Sequence, residues 1–141
     1  MKNISLSFVV FLLLTFIMYG CTTNNSTATS SLIFKDISIE EAAELIKNND
    51  GNPDFTILDV RTPGEFRTGH IENAVNLDFY AADFEDQLNN LDKTNKYLVY
   101  CRSGNRSGQA MKIMQSLDFR EVYNLSYGIT DWEASGYPTV K

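Results

Sequence analysis

Basic residues are scarce in this chain. Twelve Lys and Arg stand against eighteen Asp and Glu, a formal net charge of -6 over 141 residues. Nucleic-acid binding relies on clustered positive charge against phosphate, so this balance argues against such a partner. Cysteine is scarcer, with two residues, and His70 is the only histidine. Cys21 and Cys101 lie far apart and show no zinc-type spacing. No internal repeat occurs. Long apolar runs are also missing, with one exception at the N-terminus. What remains is 43% hydrophobic and 21% charged, the composition of one ordinary globular domain.

The exception starts after Lys2. An apolar run from Ile4 to Tyr19 is interrupted only by Ser5, Ser7 and Thr15, and it ends at Gly20-Cys21. A positive start, an apolar stretch and a small residue before a polar tract are the layout of an export signal. The rival reading is an uncleaved anchor, for which about 17–25 apolar residues are needed; this run is at the short end. Met18-Tyr19-Gly20-Cys21 resembles a bacterial lipobox, although Tyr19 stands where a small residue is usual. The resemblance implies cleavage after residue 20 and a lipid on Cys21. Residues 21–31 are small, polar and nearly uncharged, which predicts a flexible tether. Both readings export the domain of residues 32–141 and hold it at a membrane, in a bacterial periplasm or at the cell surface.

Within that domain, short apolar runs alternate with helical patterns. Leu32 to Phe34, Phe55 to Val60, Ala74 to Leu77, Leu98 to Tyr100 and Glu121 to Leu125 read as strands. Ser38-Ile39-Glu40-Glu41 is a capping box that opens a helix with Ile39, Ala42, Ala43 and Ile46 on one face. Phe84, Leu88 and Leu91 mark a second helix, about Ser107 to Leu117 a third, and Thr130 to Ala134 a helical turn. Buried strands alternating with amphipathic helices predict an α/β fold, with a central parallel sheet covered by helices on both faces. Ligands of such sheets bind beyond the carboxyl ends of the strands.

Cys101 sits at one such end. Arg102-Ser103-Gly104-Asn105-Arg106-Ser107 follows it directly. A short loop running into a helix start leaves several N–H groups unpaired, and they can converge on one anion. Gly104 and Asn105 tolerate the positive φ of a curled loop. A thiol held in that cradle has a lowered pKa, and Arg102 and Arg106 would draw an anionic substrate, unless Arg106 pairs instead with a carboxylate that holds the loop. The bland alternative for a cysteine ending a buried strand is an inert small hydrophobe. The flanking loop favours the reactive thiol. The domain has no second cysteine to resolve a disulfide.

Three spaced motifs now agree. Cys101 to Arg106, with Ser107 after it, resembles the active-site loop of the rhodanese sulfurtransferases. Upstream, Asp59-Val60-Arg61, Glu65-Phe66, Gly69-His70-Ile71 and Ala74 fit that family's signature. Downstream, Gly128, Ile129, Trp132, Gly136, Tyr137 and Pro138 fit its closing motif. Tyr127 departs from the pattern, standing where the first of two glycines is common. The resemblance covers about residues 32–141. It implies a three-layer rhodanese-like fold, a Cys101 persulfide and no metal or organic cofactor. It also implies a small anionic donor such as thiosulfate and a thiol, cyanide or protein acceptor. Four residues separate Cys101 from Arg106; related phosphatases have one more, so a phosphatase or arsenate reductase is disfavoured.

The remaining expectations are structural. Asp59 is expected to bond nearby loop groups. Arg61 and Glu65 are expected to pair with each other, and His70 to be structural rather than a base. Trp132, Tyr80, Tyr97, Tyr100 and Phe84 are assigned to the core, and a monomer is the default. Two alternatives stay open beside the enzyme: a non-catalytic binding module of the same fold, and a persulfide carrier serving one partner.

Overall fold

Strand alternation decides which helix covers which face. The computed structural model describes residues 31–141. The expected export segment, Cys21 and the tether up to residue 30 lie outside the described residues. Ten elements follow in order: β1 (Ile33–Ile37), α1 (Ile39–Asn48), β2 (Phe55–Asp59), α2 (Pro63–Thr68), β3 (Val75–Asn76), α3 (Phe84–Asn89), β4 (Lys96–Tyr100), α4 (Asn105–Ser116), β5 (Glu121–Leu125) and α5 (Gly128–Ala134). The five strands form one sheet in the order β1-β5-β4-β2-β3, and every neighbouring pair is parallel.

Side chains of successive strand residues point to opposite faces. On β4, Tyr97 and Val99 join Leu58, Val122, Phe84, Leu88, Ala110 and Met114 under α3 and α4. Leu98 and Tyr100 face the other way, onto Ile39 and Ala42 of α1 and Ile129 and Trp132 of α5. Both faces are thus covered, which is why the strands read as unbroken apolar runs. Leu58, Leu98 and Val99 are fully buried. Truncating such a leucine to alanine costs about 2–5 kcal/mol. The same alternation carries Cys101, next after Tyr100, onto the α4 face.

Helix starts follow local chemistry. Ser38 Oγ accepts from Glu41 N–H, and Glu41 accepts from Ser38 N–H, the reciprocal box expected for α1. A second box starts α2: Thr62 Oγ1 accepts from Glu65 N–H, Glu65 accepts from Thr62 N–H, and Pro63 stands in the first turn. Each such cap is worth about 1 kcal/mol. Helix α2 was not expected from the sequence, although Thr62-Pro63-Gly64-Glu65 carries its signal. Helix α4 begins at Asn105, two residues before the expected start. Tyr80, assigned to the core, is 68% exposed. Tyr97, Tyr100, Phe84 and Trp132 are buried as expected.

Candidate active site

The centre of the sheet ends in a thiol. Cys101 follows β4 and is 1% exposed. Gly104 then takes φ 86, a left-handed conformation that an L side chain rarely adopts. A Cβ there would land on the carbonyl oxygen of Ser126. Gly104 caps α4 with no side-chain acceptor, so the N–H groups of the first turn stay free. The Ser107 N–H of that turn is directed at sulfur. Burial pushes the Cys101 thiol up, but hydrogen bonds outweigh it. These come from the Ser107 hydroxyl and from the N–H groups of Ser107, Ser103 and Gly104, and the thiol lies below its ordinary value.

Ser107 is fully buried, with Oγ 3.5 Å from Cys101 Sγ and 3.2 Å from the Gly104 carbonyl oxygen. Its one proton cannot serve both. Ionising Cys101 favours donation to sulfur, since charged acceptors take the stronger bond.

The loop is also held from behind. Ile129 N–H donates to Cys101 O at 2.9 Å, and Thr130 N–H to Arg102 O at 3.2 Å. The start of α5 therefore grips the loop backbone. Gly128, at φ 66, lies so close that a Cβ would come within 2.5 Å of Cys101 O. That contact is with backbone, which cannot swing aside. Tyr127 is exposed beside it and removes no group from the sulfur's surroundings.

The two loop arginines differ. Arg102 is exposed and forms no ion pair among the described residues. Arg106 is half-buried and taken: its Nη1 donates to Glu65 Oε2 at 2.8 Å and its Nη2 to Glu65 Oε1 at 2.7 Å. This bidentate fork raises the guanidinium's pKa and holds the Glu65 carboxyl down at about 2. The Thr62 hydroxyl and N–H also donate to Glu65 Oε2, each at 3.0 Å. The Tyr80 ring lies 5.5 Å from the Arg106 guanidinium carbon.

The expected Arg61–Glu65 pair is therefore corrected. Arg61 turns back to Asp59 instead, with Nη2 to Oδ2 at 2.6 Å and Nε to both oxygens at 2.9 and 3.0 Å. It also donates to Gly69 O at 2.7 Å. Asp59 is fully buried, so its bonds run to Arg61, including the Arg61 N–H at 2.9 Å, rather than to the sulfur loop. Arg61 precedes the cap residue of α2, so it is not in the helical frame that would bring it over Glu65. His70 stacks on Phe66 at 3.7 Å between ring centroids, and its Nδ1 lies 3.1 Å from Phe66 O. It is an architectural residue, as expected. Ser103 and Asn105 are exposed at the loop's outer side.

Sequence reasoning missed two contributors. Thr62 buttresses Glu65, and its capping box was the available signal. Tyr80 covers Arg106 and left no local signal, because the contact spans the fold.

A family model described as "Rhodanese-like domain" matches residues 38–135. The chain belongs to the rhodanese-like family. Thiosulfate sulfurtransferase GlpE of Pseudomonas putida is 36% identical over 106 residues, covering 74% of this chain and 89% of that protein. Putative sulfur carrier protein YrkF of Bacillus subtilis is 30% identical over 97 residues, 69% of this chain and 50% of its own length. The crystal structure of a rhodanese-related protein from Thermoplasma volcanium superposes with a TM-score of 0.64 at 32% identity, covering 75% of this chain and 97% of that one. The rhodanese-like α/β fold, with its parallel sheet between two helical layers, is thereby the fold of this chain.

Proposed function

We propose that this rhodanese-like domain is a sulfurtransferase working through a Cys101 persulfide. The observation that carries the reading is the sulfur itself, buried yet held below its ordinary pKa by three N–H groups and the Ser107 hydroxyl. That arrangement stabilises a thiolate before reaction and an anionic outer sulfur after it. With thiosulfate as donor, the thiolate attacks the outer sulfur. A new S–S bond forms, the old one breaks, and sulfite leaves with the bonding electron pair. Cyanide or a thiolate then attacks the outer sulfur and restores the Cys101 thiolate. Arg102, exposed and without an ion pair, is the group that draws the anion in. Arg106, occupied by Glu65, shapes the loop instead.

The naming of a relative as a thiosulfate sulfurtransferase supports the donor assignment. The naming of another as a putative sulfur carrier protein supports a second reading, transfer to one protein partner. The domain is further proposed to be exported and held at a membrane by lipid on Cys21, supported by Lys2, the apolar run and Gly20-Cys21. Lipid labelling that vanishes in Cys21→Ala tests that point.

The deciding experiment uses the full chain with thiosulfate and cyanide, alongside Cys101→Ser. Thiocyanate turnover and a one-sulfur mass gain, both lost in the variant, are expected. Mass gain without turnover favours the carrier. Neither, in folded and reduced protein, overturns sulfur transfer and leaves the non-catalytic binding module.

A further inference from the structure

The mouth of the sulfur loop carries little net positive charge. Two arginines follow Cys101, but only one is a free cation. Arg106 gives its Nη1 and Nη2 to Glu65 at 2.8 and 2.7 Å, so that pair presents no net charge. Arg102 is exposed and forms no ion pair among the described residues. Asp78, whose carboxylate accepts from the Tyr80 N–H, and Asp131, in the first turn of α5, add negative charge near the carboxyl edge of the sheet. Once Cys101 is ionised, its charge offsets that of Arg102. The N–H groups of Ser103, Gly104 and Ser107 around the sulfur are then the positive feature left over.

That charge count bears on the donor. Thiosulfate is a dianion, so its approach to a thiolate gathers a triple negative charge against a single free guanidinium and the N–H dipoles. A donor with a single charge gathers less. Each surplus charge is costly where protein displaces water, because Coulomb energies grow as the dielectric falls. The rim adds a second feature. The strands run β5-β4-β2-β3 across this part of the sheet. Tyr127 follows β5 and Tyr80 follows β3, so they stand on opposite sides of Cys101, which follows β4. With neighbouring strands about 4.8 Å apart, Tyr127 is on the nearer side and Tyr80 on the farther. Their side chains are 61% and 68% exposed, while most large apolar side chains are packed away. An exposed tyrosine offers an apolar ring face to an organic group.

We propose that Glu65, by neutralising Arg106, sets the donor class, and that the preferred donor is an organic thiosulfonate, RSO₂S⁻, with its apolar R group against Tyr127. The Cys101 thiolate bonds to the terminal sulfur, the donor's S–S bond breaks, and the sulfinate RSO₂⁻ leaves with the bonding electron pair. Thiosulfate follows the same route less efficiently. Glu65 is a positioning and specificity residue here, acting through the charge it removes from the mouth. The assignment rests on the sulfur-transfer reading and narrows it to a donor of one charge.

Three donors would be compared on the full chain with cyanide as acceptor: thiosulfate, methanethiosulfonate, in which methyl replaces one oxyanion, and benzenethiosulfonate. Each kcat/KM is divided by that donor's own rate with cyanide in solution, which removes differences in intrinsic reactivity. Methanethiosulfonate should then exceed thiosulfate at least about fivefold. Benzenethiosulfonate should exceed methanethiosulfonate at least about threefold, through its larger apolar area. Glu65→Gln frees the Arg106 charge and should raise the thiosulfate-to-methanethiosulfonate ratio at least about fivefold. Loop drift alone would leave that ratio unchanged, since it slows both donors. Tyr127→Ala should remove most of the advantage of the phenyl donor. A normalised preference for thiosulfate, or an unchanged ratio in folded Glu65→Gln, overturns the donor class; if that variant misfolds, the wild-type ratios decide. Equal normalised rates for the methyl and phenyl donors overturn the role of Tyr127. Failure of all three donors to load sulfur onto Cys101 overturns the sulfur-transfer reading, and the donor class falls with it.

Discussion

Two arginine–carboxylate pairs flank the same corner of the sheet, and they do different work. Arg61 and Asp59 are two residues apart, with side chains 6% and 0% exposed. Glu65 and Arg106 are separated by 41 positions, with side chains 32% and 13% exposed. The first pair closes the end of β2 on itself. The second ties the start of α2 to the start of α4, and hence to the sulfur loop. A buried local pair is a stability element whose members are costly to separate. A partly exposed distant pair contributes less to stability and more to geometry. Charge identity alone does not distinguish them; burial and sequence separation do.

Breaking the first pair should have the largest effect. Arg61→Met leaves the Asp59 carboxylate buried without its cation, which costs about 3–5 kcal/mol. Urea unfolding reads the loss, and the alkylation rate of Cys101 per folded molecule should stay near wild type. A change in that rate with stability intact would reverse the roles assigned to the two pairs.

Glu65→Gln should do the opposite. It releases Arg106 and lets the loop drift, lowering sulfur transfer about tenfold through misplacement. Stability should fall by about 1 kcal/mol, since the Glu65 side chain keeps contact with solvent. Loss of stability beyond that of Arg61→Met would erase the distinction.

Acid sharpens it further. Glu65 is lowered from its ordinary 4.5 to about 2 by Arg106. A carboxyl depressed on folding stabilises the protein above its unfolded value, and that contribution disappears as pH falls. Between pH 4.5 and 2 the wild type should lose about 1 kcal/mol from this group, after allowance for solvent screening. In Glu65→Gln that portion of the pH slope should be missing. An identical slope in both proteins would contradict the assignment.

The smallest effect belongs to Tyr80, whose exposed ring lies over Arg106. Tyr80→Leu should cost about 0.5 kcal/mol, measured by thermal unfolding.

Much of this corner was legible in the sequence, but unevenly. The run Tyr97 to Tyr100, the cysteine after it and the loop into a helix are local features, and local chemistry fixes them. The box at Ser38 was read directly. The equivalent box at Thr62 is less plain, because Pro63 and Gly64 also suit a turn, yet both fit a first helical turn. A carboxylate partner for Arg106 was one expectation, but its identity was not legible, because only the parallel pairing of β2 with β4 brings Glu65 near it. Arg61 and Glu65 are close enough in sequence to suggest a local ion pair, but Arg61 precedes the cap of α2 and turns back to Asp59. Tyr80 reads as core by type, and its exposure follows from lying outside every helix and strand, over a charged group.

Gly104 and Gly128 set a boundary for anyone redesigning this protein. Both are pressed against backbone that cannot yield, and both hold positive φ values that residues with side chains rarely adopt. Arg102, Ser103 and Asn105 are exposed. A library built over those three positions would vary the mouth while keeping the frame. One that includes either glycine would spend most of its members on chains whose loop has no conformation to adopt.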